Sequence, residues 1–294
     1  MIQDKYLYLM MIPGLVTVFV FSYMPMYGIL MAFKDYKIRL GVMRSPWVGL
    51  KYFRQLFSMP DAHSVIMNSI VISVMTIITS FPVPIILALL LNELRNKVFK
   101  KTTQSVLYLP HFISWPVISG LLFGLFSQTS GMVNQVIVSL GGKSVNFLGD
   151  PGSFRSLVYL SNIWKSAGWG TIIYLAAIAG VDPSLYEAAR IDGAGRFSQM
   201  LHITLPAVRY TVVVLLILNV GGIMSTNFDQ IYNLISAPVY GVGQTIDIYV
   251  YEQGIKNMNY SYSTAIGLFQ QIIGFILLLA ANYGSKLMGE DSFF

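Results

Sequence analysis

Lys165 is the one charge that falls deep inside an apolar stretch, residues 154–181 of a chain of 294. An ammonium group at membrane depth is costly unless acceptors, a counter-charge or water meet it, so such a residue is a functional hypothesis by default. Ser166 is adjacent and Trp169 lies one turn on, on the same helical face. The three would offer a polar solute a cation, a hydroxyl and an aromatic surface. Asn219, Ile223 and Thr226 share a second face, with Gly222 opening space beside them. These seven residues are the expected lining of a solute path. For Lys165 the competing reading is an ion pair or hydrogen bonds within a helix bundle. For Asn219 and Thr226 it is hydrogen bonding between helices. Trp115, Trp164, Gln270 and Gln271 fit interface anchoring and packing as well as they fit a lining.

Covalent chemistry finds little support. His63, His111 and His202 have no metal-ligand spacing, and without cysteine there is no thiolate site and no disulfide. The run Gly-Gly-Lys-Ser at residues 141–144 resembles a phosphate loop, but Ile137 stands where the first glycine is required. No metal, no cofactor and no enzymatic activity are therefore expected of this chain.

The elements that must position these residues are membrane helices. Hydrophobic residues make up 55% of the chain and charged residues 11%, against about 25% charged in a soluble domain. A spanning helix needs about 20 largely apolar residues, because lipid cannot satisfy backbone polar groups. Six stretches qualify: residues 6–33, 64–92, 105–126, 154–181, 207–224 and 262–285. The expected fold is all-α, a polytopic membrane protein forming one transmembrane domain over residues 1–294. Six spans place both termini on one side. The net charge of +6 fits lipid headgroups rather than nucleic acid. Orientation is not decided by charge: nine Lys and Arg fall on each side, six of them in the loop 34–54. Pro13, Pro25, Pro82, Pro84, Pro110 and Pro116 punctuate the spans, as tolerated kinks or as hinges.

Between the fourth and fifth spans the chain turns polar, in residues 182–206. Asp182 followed by Pro183 is a good helix start, a capping carboxylate and then proline at the first helical position. Gly193 is a plausible stop, and a second short helix is expected from Arg196 to Ile203. Ala188 and Ala189 would let another protein approach closely. Glu187 and Arg190 offer charge on the same turn, and Phe197, Met200 and Leu201 offer apolar anchors. The plain alternative is an amphipathic helix lying on the membrane.

Glu187-Ala188-Ala189, then Asp192-Gly193-Ala194, then Ile203, Leu205 and Pro206 resemble the EAA signature of permeases in binding-protein-dependent ABC importers. No second proline follows Pro206 shortly, as it does in many relatives. The resemblance extends along nearly the whole chain. Residues 47–57 look like the extracytoplasmic stretch after the first helix, and residues 130–151 like the MalF-like (UgpA-like) half of sugar permeases. The C-terminal part, from Phe228 on, looks like the subfamily called LplB-like.

That resemblance implies a type I importer permease fold, with the 182–206 loop cytoplasmic and seated in a cleft of an ATP-binding subunit. Tyr186, Glu187, Ala188, Ala189, Arg190, Asp192, Gly193, Ala194, Phe197, Leu205 and Pro206 would carry the coupling. The implied partners are a second, MalG-like permease, two ATP-binding cassette subunits that hold the ATP and Mg, and an extracytoplasmic solute-binding protein. The location would be the bacterial cytoplasmic membrane with both termini inside. The implied solute is an oligosaccharide, and relatives of the subfamily include the alginate importer. Lys165 and the basic loop 34–54 would suit uronic acids; a neutral oligosaccharide is the competitor. An ion-coupled secondary transporter would need a coupling-ion site or an inverted repeat of broken helices, and neither is evident.

Overall fold

In the computed structural model, residues 5–225 and 227–287 are described. Among them there is no strand, only an isolated antiparallel bridge between Lys34 and Trp47. Helix satisfies every backbone group within its own segment, which is what an apolar chain without water requires. Among the described residues, three helices are long and apolar enough to cross a membrane: α1 (Tyr8–Phe33), α2 (Ala62–Asn92) and, at the far end, α10 (Tyr260–Lys286). Between them lie three bent pairs. α3 (Lys97–Phe112) meets α4 (Trp115–Phe126) at 101°, α5 (Pro151–Ala179) meets α6 (Pro183–Ile191) at 72°, and α7 (Arg196–Ala207) meets α8 (Arg209–Gly221) at 57°. Counting each pair as one span gives up to six. A short α9 (Phe228–Leu234) follows.

The third span differs from expectation. Residues 105–126 were expected as one helix, and the chain instead breaks at Ile113 and Ser114. The cause is local: Pro110 and Pro116 flank the break, and each lacks the N–H that would continue a helical ladder. Ile113 and Ser114 are extended, as residues between helices must be to turn the chain so sharply. The fourth and fifth spans match expectation more closely. α5 starts at Pro151 because the Asp150 carboxylate accepts from the Ser153 N–H at 2.8 Å, an N-cap that sets the first turn.

The chain divides into two compact units, residues 1–63 with 246–272 and residues 64–245 with 273–294. In the second, α5 is the central post. Its small residues allow neighbouring backbones to come close, the usual device of membrane helix packing. A Cβ built on Gly168 would stand 1.9 Å from the Leu107 carbonyl oxygen of α3. One on Gly170 would stand 2.9 Å from the Pro84 ring of α2. The Thr171 hydroxyl bonds its own helix at Ala167 O (2.7 Å) and lies 3.3 Å from Pro84 O. Lower down, Tyr174 and Ile178 pack with Ala88, Leu89 and Val208 in a buried cluster. Gly168→Leu is accordingly expected to cost about 3 kcal/mol or more through overpacking against backbone that cannot yield. Thermal unfolding of the purified protein in detergent measures it; an unchanged midpoint would mean the α3–α5 contact is not tight.

In the first unit, the chain leaving α1 folds back on itself. Phe33 stacks on Trp47 at 5.8 Å, and the Lys34 ammonium donates to the carbonyls of Val42 (3.0 Å) and Met43 (2.8 Å). Gln270, a weak lining candidate by sequence, is instead buried and donates to the Asp247 carboxylate at 2.7 Å.

Candidate functional site

Two sites emerge, one inside the helices of the second unit and one on its polar loop. The first is a cavity of about 300 Å³ bounded by α2, α5 and α8, with Asn227 at the start of α9. Ser166, Trp169 and Asn219, all expected in the lining, meet there. Their neighbours were not expected: Thr76 and Ser80 from α2, Asn162 from α5, and Asn227.

These polar groups form a chain of hydrogen bonds. The Ser80 hydroxyl donates to Asn162 Oδ1 at 3.1 Å, and the Asn162 amide donates to Asn227 Oδ1 at 3.0 Å. The Asn227 amide in turn donates to the Thr76 hydroxyl at 3.1 Å. Asn227 has φ of 74°, in the left-handed region that non-glycine residues rarely adopt, though asparagine tolerates it best. An outlier of this kind persists only where the surroundings over-determine it, which is common at ligand sites. Behind the seam, Gln230 is fully buried and holds α9 to α5 through Val158 O (2.6 Å) and the Ser161 hydroxyl (2.9 Å).

Lys165 is placed elsewhere. Its ammonium donates to the carbonyls of His111 (2.9 Å), Pro110 (3.5 Å) and Ile113, and lies 5.4 Å from the centre of the Trp115 ring. It caps the end of α3 at the break, where the helical ladder ends, and it is absent from the cavity lining. Of the two readings left open, hydrogen bonds within the bundle describe it. Trp169 links the two features: one side of its ring lines the cavity, and the ring stacks on His111 at 4.5 Å with the planes 5° apart. Gly222 and Ile223 also fall outside the lining; Ile223 is buried. Thr226 lies outside the described residues. Trp164 lines a separate, apolar groove of about 660 Å³ with residues of α4.

Lys165→Met should therefore act on stability before it acts on solute choice. Removing the cap leaves up to two partly buried carbonyls unsatisfied, those of His111 and Ile113, a loss of about 2–4 kcal/mol; Pro110 O keeps the Ile113 N–H at 3.2 Å. Thermal unfolding in detergent tests this, and full stability with lost solute discrimination would return Lys165 to the path.

The second site is the loop of α6 and α7. α6 begins as expected: the Asp182 carboxylate accepts from the Ser184 N–H at 2.9 Å, and Pro183 follows at the first helical position. The helix stops at Gly193, whose φ of 79° is the left-handed conformation that ends helices. The Ala194 N–H there reaches back to Ala189 O at 2.8 Å. A Cβ at Gly193 would meet nothing, so only the backbone conformation demands glycine. α7 continues through a π-helical stretch, Met200–Thr204, before Pro206. The Tyr186 and Thr204 hydroxyls bond at 3.0 Å and pin α6 to α7, so the two short helices form one body.

The exposed face of that body carries Glu187, Ala188, Arg190, Asp192 and Phe197, with Ala189 and Ala194 half-buried. Ile191 is 87% exposed at the tip, an apolar side chain the site expectation left out. Met200 and Leu205 point the other way and pack on the buried cluster around Tyr174, so they anchor the loop. Beside the loop, the turn of Glu93, Leu94 and Arg95 closes a groove of about 660 Å³ with Tyr186, Glu187, Arg190 and Arg196. A chain segment some ninety residues earlier thus completes this surface, which no local motif could announce.

The Ser184 backbone and side-chain hydrogen bonds hold the Asp182 carboxyl below its ordinary value. A depressed folded value contributes stability above the ordinary aspartate range and loses it as pH falls through the folded one. The start of α6 should fray in acid. Protection of the Ser184 and Leu185 amides, taken relative to the intrinsic exchange rate at each pH, should fall below about pH 4 in the parent and stay constant in Asp182→Asn.

Residues 70–286 match the family model described as "Binding-protein-dependent transport system inner membrane component". The chain belongs to that family. Its similarity to Protein LplB of Bacillus subtilis (strain 168) is 45% identity, covering 99% of this chain and 92% of the relative. A second relative from that organism, the polygalacturonan/rhamnogalacturonan transport system permease protein YteP, is 48% identical over 100% of this chain and 92% of its own. Among solved structures, a chain of a bacterial ABC transporter involved in the import of the acidic polysaccharide alginate superposes with a TM-score of 0.89. The two are 37% identical, and the match covers 97% of this chain and 96% of that one. A further alginate transporter structure, in complex with an alginate pentasaccharide-bound periplasmic protein, gives 0.90 at 36% identity. The inner membrane component fold is thus established, and its members are multi-pass transport components rather than enzymes.

Proposed function

We propose that this chain is one permease subunit of an ATP-driven importer that passes an oligosaccharide of the uronic-acid type from a solute-binding protein across the cytoplasmic membrane. The carrying observation is the 48% identity, over the whole of this chain and 92% of the relative, with a permease named for polygalacturonan and rhamnogalacturonan. The alginate transporter structures point to the same solute class. The α6–α7 body is the docking element for an ATP-binding subunit, which places it and both termini in the cytoplasm. A second, MalG-like permease, two ATP-binding cassette subunits and the binding protein complete the machine. ATP binding closes the cassette subunits, and the rigid α6–α7 body carries that motion into α5 and α8, whose inner faces line the cavity. This is a rigid-body switch in which loaded binding protein outside favours closure inside.

The cavity itself favours a second reading of the solute. Its polar lining is hydroxyls and amides with Trp169, and no charged residue. Such groups recognise sugar hydroxyls and the apolar face of a ring, and they do not by themselves demand a carboxylate. Uptake into proteoliposomes holding the whole complex separates the two. Oligogalacturonate should be taken up with ATP inside, and neutral arabino-oligosaccharides should compete poorly. Equal uptake of both would leave the importer reading intact and remove the uronic-acid one.

A further inference from the structure

At the far end of α1 the first unit holds a polar pocket of about 270 Å³, separate from the cavity described above. We infer that it is an extracytoplasmic subsite for one uncharged, hydroxyl-rich sugar residue of the incoming oligosaccharide. Asp35 supplies the acceptor, and Tyr36, Tyr52 and Tyr260 supply the ring surfaces. The side of the membrane rests on the importer orientation proposed above: α1 carries the chain outward from a cytoplasmic N-terminus, and Asp35 follows its last turn.

The groups are held in place before any ligand arrives. The Tyr52 hydroxyl donates to Asp35 Oδ1 at 2.8 Å, which leaves the second carboxylate oxygen for a guest. Burial raises the Tyr52 hydroxyl above its ordinary value, and the Asp35 bond and charge raise it further, so it stays a donor. The backbone on both sides of Asp35 is fixed: its N–H donates to Pro46 O (2.8 Å), and the Tyr36 N–H donates to the Ser261 hydroxyl (2.8 Å). That hydroxyl donates onward to Lys34 O at 2.6 Å. The Tyr36 and Tyr260 rings meet edge to face at 5.9 Å. Met258, also in the lining, sits in the left-handed region at φ 56° in the short turn between Lys256 and Tyr260.

The charges select the guest. The Lys51 ammonium already lies 5.4 Å from the centre of the Tyr52 ring, and Lys37 and Arg54 are close in sequence. A cationic side chain entering the pocket would meet that field. An anionic group would meet the Asp35 carboxylate inside it. A neutral polyol meets neither penalty: its hydroxyls donate to Asp35, and its C–H face lies on tyrosine. The volume admits one sugar ring, which suits a subsite that positions an oligosaccharide rather than one that encloses it. Pre-organised groups of this kind add affinity by reducing the ordering cost of binding.

The test uses the complete importer in detergent without its binding protein. The probe is an end-labelled tetramer of rhamnogalacturonan, whose rhamnose residues are uncharged, or of arabinan, whichever proteoliposomes take up. Saturable binding is expected in the parent, weakened about tenfold by Asp35→Asn and by Tyr52→Phe, since hydrogen bonds to charged groups are worth at least that factor. Thermal unfolding is measured in parallel, and Tyr52→Phe keeps the ring should Asp35→Asn disturb the loop. Absence of binding in the parent, or parent-like binding by both variants, overturns the subsite. So does a parallel loss of affinity for the substrate-free binding protein, which would make the pocket a protein contact. Failure of the importer reading itself would show separately, as no ATP-dependent uptake by the parent.

Discussion

Glu187→Lys is expected to abolish substrate-stimulated ATP hydrolysis and uptake while the chain still folds and inserts. Glu187 is exposed on α6, next to Ala188 and Arg190, and no intramolecular bond of its side chain would be lost on replacement. Its contribution to stability is therefore small, as for most surface positions. At a docked interface the same carboxylate would be desolvated against a partner charge. Truncating such a pair typically costs 2–5 kcal/mol, and a reversal costs at least as much. Uptake should fall by a factor of about 30 or more, with assembly of the ATP-binding subunits weakened in pull-down. Gly193→Val tests the same body by another route. A β-branched residue at φ 79° strains the turn that orients α6 against α7, and Tyr186–Thr204 cannot hold both helices if that turn opens. Substrate-stimulated ATPase that survives Glu187→Lys with coupling unchanged would sink the docking role.

Asn162→Leu should have the second largest effect, and on transport rather than assembly. The substitution removes one lining group and strands two others, since Ser80 and Asn227 both bond to the Asn162 side chain. Leaving such partners unsatisfied costs about 1–3 kcal/mol each. The left-handed Asn227 then loses one of the bonds that sustain its conformation. Uptake should drop by about 10- to 100-fold, with basal ATPase and complex assembly retained. Asn162→Asp keeps the shape and introduces a charge; it should depress uptake of an acidic oligosaccharide more than that of a neutral one. Parent-like uptake by Asn162→Leu would remove this cavity from the solute path.

The two short helices of the 182–206 loop were legible because their signals are local. Asp182 with Pro183 starts a helix, Gly193 permits the one conformation that ends it, and both operate within a turn or two of chain. The span count was legible for a similar reason, since lipid penalises any backbone group without an internal partner. The lining was half legible. Lys165, the charge inside an apolar helix, caps the α3 break. Asn162, one turn before Ser166 and three residues before Lys165, was overlooked because a neutral amide does not interrupt an apolar run. Its signal, shared with Thr76 and Ser80, is an uncharged polar side chain within a span.

What the sequence determined by itself is therefore the class of solvent, the helical content and the two short helices of the polar loop, because each follows from composition or from contacts a few residues apart. Tertiary structure alone decided which polar groups face one another. It turned Lys165 toward the carbonyls of residues 110, 111 and 113, and it brought Thr76, Asn162 and Asn227 into one seam across 151 positions of chain. It also closed the loop's groove with Arg95. Side-chain direction within a bundle depends on where each helix breaks and how closely its neighbours approach. Those quantities are set by packing, at Gly168 and Gly170 above all, and packing is a property of the folded chain.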